Sequence, residues 1–451
     1  MSVDGGGFSG VVRISNVSDF IAPSKSCIIP LNENTQTVAV EEPLVSIGRR
    51  KREKETEPHD VKKKAIKVTL NDCLACSGCI TSAETVLIDA QSLASLLSGI
   101  EKSTLAVITV SPQSVCSIAS HRGLSTAEAA RRIASYFFSK GVRFVLDSSI
   151  GRIFALEREC EEVENRLGNG PAILSSICPG FVCYAEKSQG DLLVPLLSQA
   201  RSPQAVMGAL VKNYLSRRNN TAPSDIFHAT VMPCFDKKLE ASRNDFLLEG
   251  NVHEVDCVVS TGELDSVLDE VDKLYESVEP GWLGDFGRGN LLGGQGGTSG
   301  GYASAVVSSL MERNPNLQAE SSQPQKNLEV TRLTEDGKKP LVIAKVYGFK
   351  NIQNMVRKLK TRKCEYDYVE VMACPGGCGN GGGQVRQETD AEREAARIRV
   401  EEMYGSLKAD GCATELRQSI ATDWGSMDER WRERLNTEFR PIVAKSLNMD
   451  Y

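Results

Sequence analysis

The sequence has no long apolar run, no leader-like amino terminus and no excess of positive charge. No apolar stretch approaches the roughly 18–20 residues that a membrane-spanning helix needs. Met1–Gly10 is small and polar, and it lacks the basic flank and apolar segment of a secretion signal. The formal net charge of −6 argues against a general nucleic-acid binder, which would carry a basic surface. We therefore expect a cytoplasmic protein that binds neither membranes nor nucleic acid.

The length and composition are those of an ordinary globular protein. A chain of 451 residues is long enough for two or three domains with their own cores. Hydrophobic residues make up 41% of the chain and charged residues 25%, so neither a disordered nor a membrane class is indicated. We find no internal sequence repeat.

Short strands and helices alternate from about Leu105, which predicts parallel sheets covered by helices, an α/β fold. One predicted helix, over residues 125–140, starts with a capping box of Ser125 and Glu128, and another is predicted over 262–277. The predicted organisation is an amino-terminal segment with a polar linker, two successive α/β lobes and a charged helical tail that wraps the protein. These parts span residues 1–103 (linker 31–66), 104–225, 226–385 and 386–451.

The linker contains the basic run Arg49–Arg52. Such a run is usually a solvated part of a linker, but it also fits a nuclear-import signal. A nuclear pool beside the cytoplasmic one is therefore the alternative localisation.

The chain has 14 cysteines. Disulfides are rare in the reducing compartment expected for this chain, so cysteines at short spacing are better read as metal ligands. Two sets stand out, and we call them the outer set and the inner set.

The outer set is built around Cys73, Cys76 and Cys79, which follow one another at three-residue intervals. A tight loop of this kind can bring three thiolates to three corners of a four-iron cubane. Cys27 is the best candidate for the fourth ligand, and Cys116 is the alternative. A zinc site is the competing interpretation, but zinc motifs usually consist of two separated cysteine pairs.

The inner set comes from the ends of predicted strands. Cys178, Cys234 and Cys374 each follow an apolar strand, and Cys378 lies within the glycine-rich segment after Cys374. The carboxyl ends of parallel strands converge on one crevice, so these four thiols predict a buried site between the two lobes. The glycines of residues 376–383 would let the backbone wrap a metal centre closely.

Other residues near the inner set have two interpretations. Lys237 and Lys238, expected on the first turn of a helix after Cys234, either offset the charge of a cluster or are solvated. Cys183 either lies near the cluster or packs in the core. The remaining cysteines are expected to be structural: Cys160, Cys257, Cys364 and Cys412.

Several motifs resemble the iron-only hydrogenases and, more closely, the hydrogenase-like Nar family of cytosolic iron–sulfur assembly proteins. The hydrogenase-wide motifs are Cys178-Pro179-Gly180, Met232-Pro233-Cys234 with Lys237-Lys238, and Met372-Ala373-Cys374-Pro375-Gly376-Gly377-Cys378. The motifs closer to the Nar family include Asn71-Asp72-Cys73-Leu74-Ala75-Cys76-Ser77-Gly78-Cys79, Ser202-Pro203-Gln204, Cys183-Tyr184-Ala185-Glu186-Lys187 and Tyr347-Gly348-Phe349-Lys350-Asn351. The resemblance covers residues 10–30 and nearly all of 67–405.

The resemblance implies an iron-only hydrogenase-like fold and two [4Fe-4S] clusters. It assigns Cys27, Cys73, Cys76 and Cys79 to the outer cluster, in a ferredoxin-like segment. It assigns Cys178, Cys234, Cys374 and Cys378 to the inner cluster. In the hydrogenases the inner set holds the cubane part of the active-site cluster, and one cysteine bridges to a two-iron unit that makes hydrogen.

Two departures from the hydrogenase pattern bear on activity. Ile177 stands where hydrogenases have a proton-relaying cysteine, and it has no transferable proton. Ala303 and Ser304 align with a methionine that packs near the two-iron unit and with a relay glutamate. A missing relay at two places favours a non-enzymatic protein.

The resemblance thus implies an assembly factor that links an early scaffold of P-loop ATPases to a late targeting complex with a WD40 propeller. That complex delivers clusters to apo iron–sulfur client proteins of the cytosol and nucleus. The tail ending at Tyr451 resembles tails that dock on this complex, although an arbitrary chain end fits as well. The alternative function is that of a hydrogenase or an electron-transfer reductase.

Overall fold

The computed structural model of the chain describes residues 82–168, 170–271, 273–275, 284–294, 296–407 and 411–442. The outer set (Cys27, Cys73, Cys76, Cys79), the linker 31–66 and Tyr451 lie outside the described residues. The fold below is therefore that of the part of the chain that contains the inner set.

The α-helices and β-strands alternate through this part of the chain. The α-helices are α1 Ser82–Ala90, α2 Leu93–Lys102, α3 Pro112–Arg122, α4 Thr126–Ser139, α5 Ser149–Arg166, α6 Pro179–Ser188, α7 Gly190–Leu193, α8 Pro203–Ala209, α9 Ser216–Arg218, α10 Asp236–Ala241, α11 Thr261–Asp265, α12 Tyr302–Arg313, α13 Phe349–Lys360, α14 Asp390–Ser406 and α15 Gly411–Met427. The strands are β1 Leu105–Val110, β2 Phe144–Asp147, β3 Ile173–Ser175, β4 Ile226–Met232, β5 Leu247–Leu248, β6 Val252–His253, β7 Cys257–Ser260, β8 Gln318–Gln325, β9 Leu328–Thr334, β10 Leu341–Tyr347 and β11 Tyr368–Met372.

The first sheet has the order β2-β1-β4-β7, and all of its strands are parallel. Its central strand β1 is buried at every residue, as expected for a strand covered on both faces. Ala106, Ile108 and Val110 pack with α3 and α4 on one face. Leu105 and Val107 pack with α5 and α8 on the other face. The predicted α/β layering is confirmed for this lobe.

The second sheet has the order β3-β11-β10-β9-β8. Strands β3, β11 and β10 are parallel, whereas β9 and β8 form an antiparallel extension at one edge. The β8–β9 hairpin was not expected from the sequence, because β8 is polar and exposed along its whole length. A strand without a buried face gives no hydrophobic alternation to detect.

Both sheets take strands from both sides of residue 225, where the sequence suggested a division into lobes. β4 and β7 follow this point but join the first sheet, while β3 precedes it and joins the second sheet. The chain thus leaves the first sheet after α5, adds β3 to the second sheet and returns through β4. This exchange brings the strand ends of both sheets to one crevice.

Of the two helices predicted above, the one over 125–140 is confirmed and the one over 262–277 is shorter than expected. Ser125 and Glu128 form the expected capping box of α4. The helix predicted over 262–277 ends at Asp265, and a 3₁₀ turn follows at Leu268–Glu270. No helix among the described residues is long and apolar enough to cross a membrane.

The carboxyl-terminal segment is helical and packs onto the first sheet. Trp424 of α15 is fully buried and its indole N–H donates to Asn213 Oδ1 over 2.6 Å. Its ring packs against Trp431 and edge-on to Phe154 of α5. The tail is therefore part of the core and holds α5 in place.

Glu159 links α5 to the second sheet through a buried carboxylate. Its Oε1 accepts a 3.0 Å hydrogen bond from the Tyr368 hydroxyl, and its Oε2 lies 2.6 Å from Ser198 Oγ. Burial, reinforced by the charge of Glu162, raises the pKa of Glu159 to about 7. The folded protein therefore retains the Glu159 proton at pH values where the unfolded chain releases it.

The Glu159→Gln variant is expected to lose part of the pH dependence of stability. As pH rises from about 4.5 to 7, the wild type loses about 3 kcal/mol because the buried carboxyl must ionise. The glutamine amide mimics the protonated form and does not ionise. The variant should therefore escape this loss, and its free energy of unfolding should rise relative to that of the wild type by this amount. Urea unfolding at pH 5 and pH 8 measures it. An equal difference at both pH values would contradict the raised pKa.

Candidate metal centre

The inner cysteines lie just beyond the carboxyl ends of three parallel strands. Cys178 follows β3 and is the amino-terminal capping residue of α6. Cys234 follows β4 of the first sheet, and Cys374 follows β11 of the second. Cys378 begins a 3₁₀ turn in the glycine-rich segment. The structure thus brings together the four cysteines that the sequence placed at strand ends and in the following turn.

The four thiols are close enough to influence one another electrostatically. Cys178 and Cys374 are buried residues, and Cys234 and Cys378 are half-buried. Burial is the main cause that raises the pKa of each thiol. Other thiols of the set raise the pKa of Cys234, Cys374 and Cys378 further, and Asp236 raises that of Cys178. The pKa of Cys234 is raised further by Asp236, Cys374 and Cys178, and that of Cys374 by Cys178 and Cys378. Four such thiols become thiolates together only if a cationic centre compensates their charge.

The four inner thiols do not form the close group of side chains that a single metal ion needs. Within the described part of the chain, no three Cys, His, Asp or Glu side chains are grouped so that they could hold one metal ion. Tetrahedral zinc would draw its sulfurs to about 4 Å from one another, given Zn–S bonds of about 2.3 Å. A cubane instead binds each thiolate at a different iron, which spreads the four ligands. A set of four thiols is a donor set of the kind that iron–sulfur clusters bind.

Backbone N–H groups also point at the inner set. The Cys178 sulfur accepts hydrogen bonds from the backbone of Phe181, in the first turn of α6, and of Ala373, just before Cys374. Both bonds lower the pKa of Cys178 against the effect of burial. The amino terminus of α6 adds a positive partial charge. These features stabilise a sulfur-ligated centre with net negative charge.

Glycine is required at two positions around Cys378, because the backbone there passes very close to other atoms of the protein. Gly377 has φ +83°, and a Cβ placed there would lie 2.1 Å from Ser299 Oγ. A Cβ on Gly381 would lie 2.2 Å from the carbonyl oxygen of Pro233, next to Cys234. The glycine-rich segment therefore packs directly against the residues that carry the other thiols.

Lys237 and Lys238 are buried, so the solvated alternative is wrong. Lys237 is paired with Glu240 and lies 3.2 Å from Ser202 Oγ, and its charge lowers the pKa of Cys178 and Cys378. Lys238 instead donates to Gln91 O and pairs with Glu263, away from the thiols. Lys237 is thus the lysine that offsets charge at the inner set.

One departure from the hydrogenase pattern, Ile177, lies against the loop that precedes the other departure, Ala303 and Ser304. Ile177 precedes Cys178, and a Cβ on Gly300 would lie 3.5 Å from Ile177 Cδ1. Ala303, in the first turn of α12, is buried and donates its N–H to Glu370 Oε2. This side of the inner set therefore presents an apolar residue where the hydrogenase pattern has a relay thiol.

The described cysteines outside the inner set mostly serve packing. Cys116, the alternative outer ligand, is fully buried against Val400 and Tyr404. Cys257 lies in the core of the first lobe, and Cys160 and Cys364 pack at the edges of core clusters. Cys183 lies on α6 as expected and lines a cavity beside Ile177. The side chain of Cys412 lies outside the described residues.

The sequence did not indicate the hydroxyl residues that hold the Cys378 turn. Ser299 Oγ accepts the N–H of Cys378 at 3.3 Å, and Thr298 Oγ1 accepts that of Gly379 at 2.9 Å. Glu401 of α14 in turn accepts from Thr298. The sequence shows only a Thr298-Ser299 pair before two glycines, and this pair matches no known motif by itself.

The chain matches known proteins in sequence and in fold. The family described as iron-only hydrogenase large subunit, C-terminal domain, matches residues 104–382. The Caenorhabditis elegans protein named probable cytosolic Fe-S cluster assembly factor oxy-4 is 48% identical, with 97% of each chain covered. The Arabidopsis thaliana protein NAR1 is 36% identical, also with 97% of each covered.

Solved structures of [FeFe]-hydrogenases share the fold. The apo form of a variant HydA1 from Chlamydomonas reinhardtii superposes with a TM-score of 0.63 at 24% identity, covering 77% of this chain and 98% of that one. At this identity the match shows the fold alone, and the near full-length relatives decide the family. The chain belongs to the iron-only hydrogenase-like Nar family of cytosolic iron–sulfur cluster assembly factors.

Proposed function

We propose that this chain is a cytosolic iron–sulfur assembly factor that carries two [4Fe-4S] clusters. Cys178, Cys234, Cys374 and Cys378 would hold the inner cluster, and Cys27, Cys73, Cys76 and Cys79 the outer one. The observation that carries the proposal is the convergence of four thiols from two sheets on one crevice. Iron–sulfur clusters bound there can be transferred, carry electrons or stabilise the fold.

The residues of this chain would act on the inner cluster in distinct ways. The Phe181 and Ala373 amides would donate to the Cys178 sulfur, and Lys237 would offset the negative charge. The position of the four thiols between the two sheets would limit the access of water and chelators. The inner cluster should accordingly persist through purification.

The proposed place in the pathway is between an early P-loop ATPase scaffold and a late targeting complex containing a WD40 propeller. Apo iron–sulfur proteins of the cytosol and nucleus would be the clients, and the tail ending at Tyr451 would contact the targeting complex. Names of relatives such as the C. elegans assembly factor support the assembly role. Depletion of this protein in cells should lower the activity of a cytosolic iron–sulfur enzyme and spare mitochondrial ones; unchanged client activity would refute the role.

We further propose that the chain is not a hydrogenase. Ile177 carries no proton to relay beside the inner set, and Ala303 and Ser304 replace the aligned methionine and glutamate. Hydrogen evolution with a strong chemical reductant should remain at background for the anaerobically purified protein. Steady turnover in that assay would favour the enzymatic alternative.

The Cys76→Ala variant is expected to lose the outer cluster and keep the inner one. The outer set depends on a distant fourth ligand, Cys27, whereas the inner set is held by two sheets. Iron and sulfide analysis should show about half of the wild-type content, and the EPR spectrum of the reduced variant should retain a single cluster signal. Wild-type iron content would remove Cys76 from the ligand set.

A further inference from the structure

Residues 436–442 form a strap that crosses the loop before α8 and the far end of α6. The Thr437 N–H donates to Gln199 O at 2.8 Å, and Arg201 Nε donates to Asn436 O at 2.9 Å. Further along, the N–H of Ile442 donates to Glu186 O at 2.9 Å. The strap is thus held by backbone hydrogen bonds at both of its ends.

An ion pair between the buried Glu186 and the half-buried Arg243 holds the middle of the strap. Arg243 makes a bidentate pair with Glu186, with both N–O distances 2.9 Å. Glu186 also accepts the N–H of Arg440, and the Arg243 guanidinium lies over the Phe439 ring at 5.5 Å. Glu186 and Arg243 therefore bind each other and the strap at the same time.

Each clamp residue lies at or just beyond the far end of a helix that follows an inner cysteine. α6 runs from Cys178, its capping residue, to a last turn that contains Glu186. α10 begins shortly after Cys234 and ends just before Arg243. The two helices contact each other. A shift of either helix relative to the other would pull the Glu186–Arg243 pair apart.

A cavity of about 50 Å³ lies between the strap and the residues on either side of Cys178. Ile177 and Pro179, on either side of Cys178, line it, and so do Thr437 and Phe439 of the strap. The hydroxyl oxygen of Thr437 is buried there without a hydrogen-bond partner among the described residues. Incomplete packing leaves the start of α6 room to move when it is not held.

We propose that binding of a cluster to the inner set stabilises the packing of the strap against α6 and the loop before α8. The stability of the strap then depends on whether the inner site is loaded. The inference rests on the proposed function, because it needs a cluster on Cys178 and Cys234. A cluster bonded to both cysteines fixes α6 relative to α10 and keeps Glu186 and Arg243 within hydrogen-bonding distance of each other. Without it, four neutral thiols no longer join the helices, and the strap binds more weakly.

Hydrogen exchange of the full-length protein tests this coupling. The amides of Thr437, Arg440 and Ile442 should exchange about tenfold faster after anaerobic removal of the clusters with a chelator, a change within the usual range of coupling between sites. The amides of the exposed β8–β9 hairpin, at the edge of the second sheet opposite β3, also exchange through local opening; they serve as the internal control and should not change. Equal strap exchange in the loaded and stripped protein would overturn the coupling.

The reciprocal experiment does not depend on the stability of the stripped protein. Since coupling of binding free energies acts in both directions, the Phe439→Ala variant should bind the inner cluster about tenfold more weakly. With cluster loading unchanged, this loss of affinity is measured as release of inner-cluster iron to a chelator about tenfold faster than in wild type. Ile442→Ala is the matched control, because that side chain is 52% exposed at the end of the strap. Its release rate should equal that of wild type. An unchanged rate in Phe439→Ala would also overturn the coupling.

Measurements on the Cys374→Ala variant distinguish a failure of the coupling from a failure of the proposed function. If the Cys374→Ala variant keeps all of its iron, the inner ligand assignment fails. If that variant loses its iron while strap exchange stays the same as in the loaded wild type, only the coupling fails.

Discussion

The Cys374→Ala variant is expected to lose about half of the iron of the wild type. Its free energy of unfolding should be lower by about 4 kcal/mol or more, because loss of a structural metal is among the largest effects of a single substitution. Cys374 follows the central parallel strand β11 and is buried beside the other inner thiols. Because the cluster would join the ends of β4, β11 and β3, its loss removes a cross-link between both sheets. Iron and sulfide analysis with denaturant unfolding under anaerobic conditions measures both effects.

The Cys364→Ala variant provides a matched control. Cys364 lies in the same lobe, ahead of the same strand, and its half-buried thiol packs at the edge of the core. The charges that act on it are those of Lys358, Glu365 and Asp367 and not those of the inner thiols. We expect wild-type iron content and a loss of about 1 kcal/mol or less. If both variants lose iron equally, the iron loss reflects general instability and not ligand removal.

The inner set could be predicted because its signal is local and its convergence is topological. Cys178, Cys234 and Cys374 each follow an apolar run that could only be a buried strand. Parallel strands point their carboxyl ends to one edge, so the sequence was sufficient to bring the thiols together. Cys378 is in a turn and not at a strand end; it was included because it lies in the glycine-rich segment just after Cys374, and the resemblance to the hydrogenase family implied the same four residues.

The exchange of strands between sheets was not predictable from local patterns. β3 has only three residues, and its apolar residues do not specify whether it pairs with β1 or with β11. Its partner is decided by tertiary packing, as the Tyr368–Glu159 hydrogen bond beside it illustrates. Likewise, Ser299 acquires its role only when the chain brings it to Cys378. Long-range contacts of this kind leave no periodic trace in the sequence.

The Gly381→Ala variant is expected to weaken the inner site although it changes no ligand. Gly381 has φ −64° and ψ 145°, a conformation that alanine adopts without strain, so the effect of the substitution is purely steric. The added Cβ would lie 2.2 Å from Pro233 O and 3.2 Å from Cys378 O. These are backbone atoms beside two of the inner cysteines, and they cannot rotate out of the way as a side chain can.

Relief of this clash must push the Cys378 turn away from the end of β4. We expect inner iron to be released to a chelator about tenfold faster, as is typical when residues that position metal ligands are displaced. The free energy of unfolding should fall by about 2 kcal/mol, the usual cost of overpacking. Gly170→Ala is the control, since a Cβ there would meet nothing within 4 Å. Equal release rates in the two variants would show that the contact between Gly381 and Pro233 does not support the inner site.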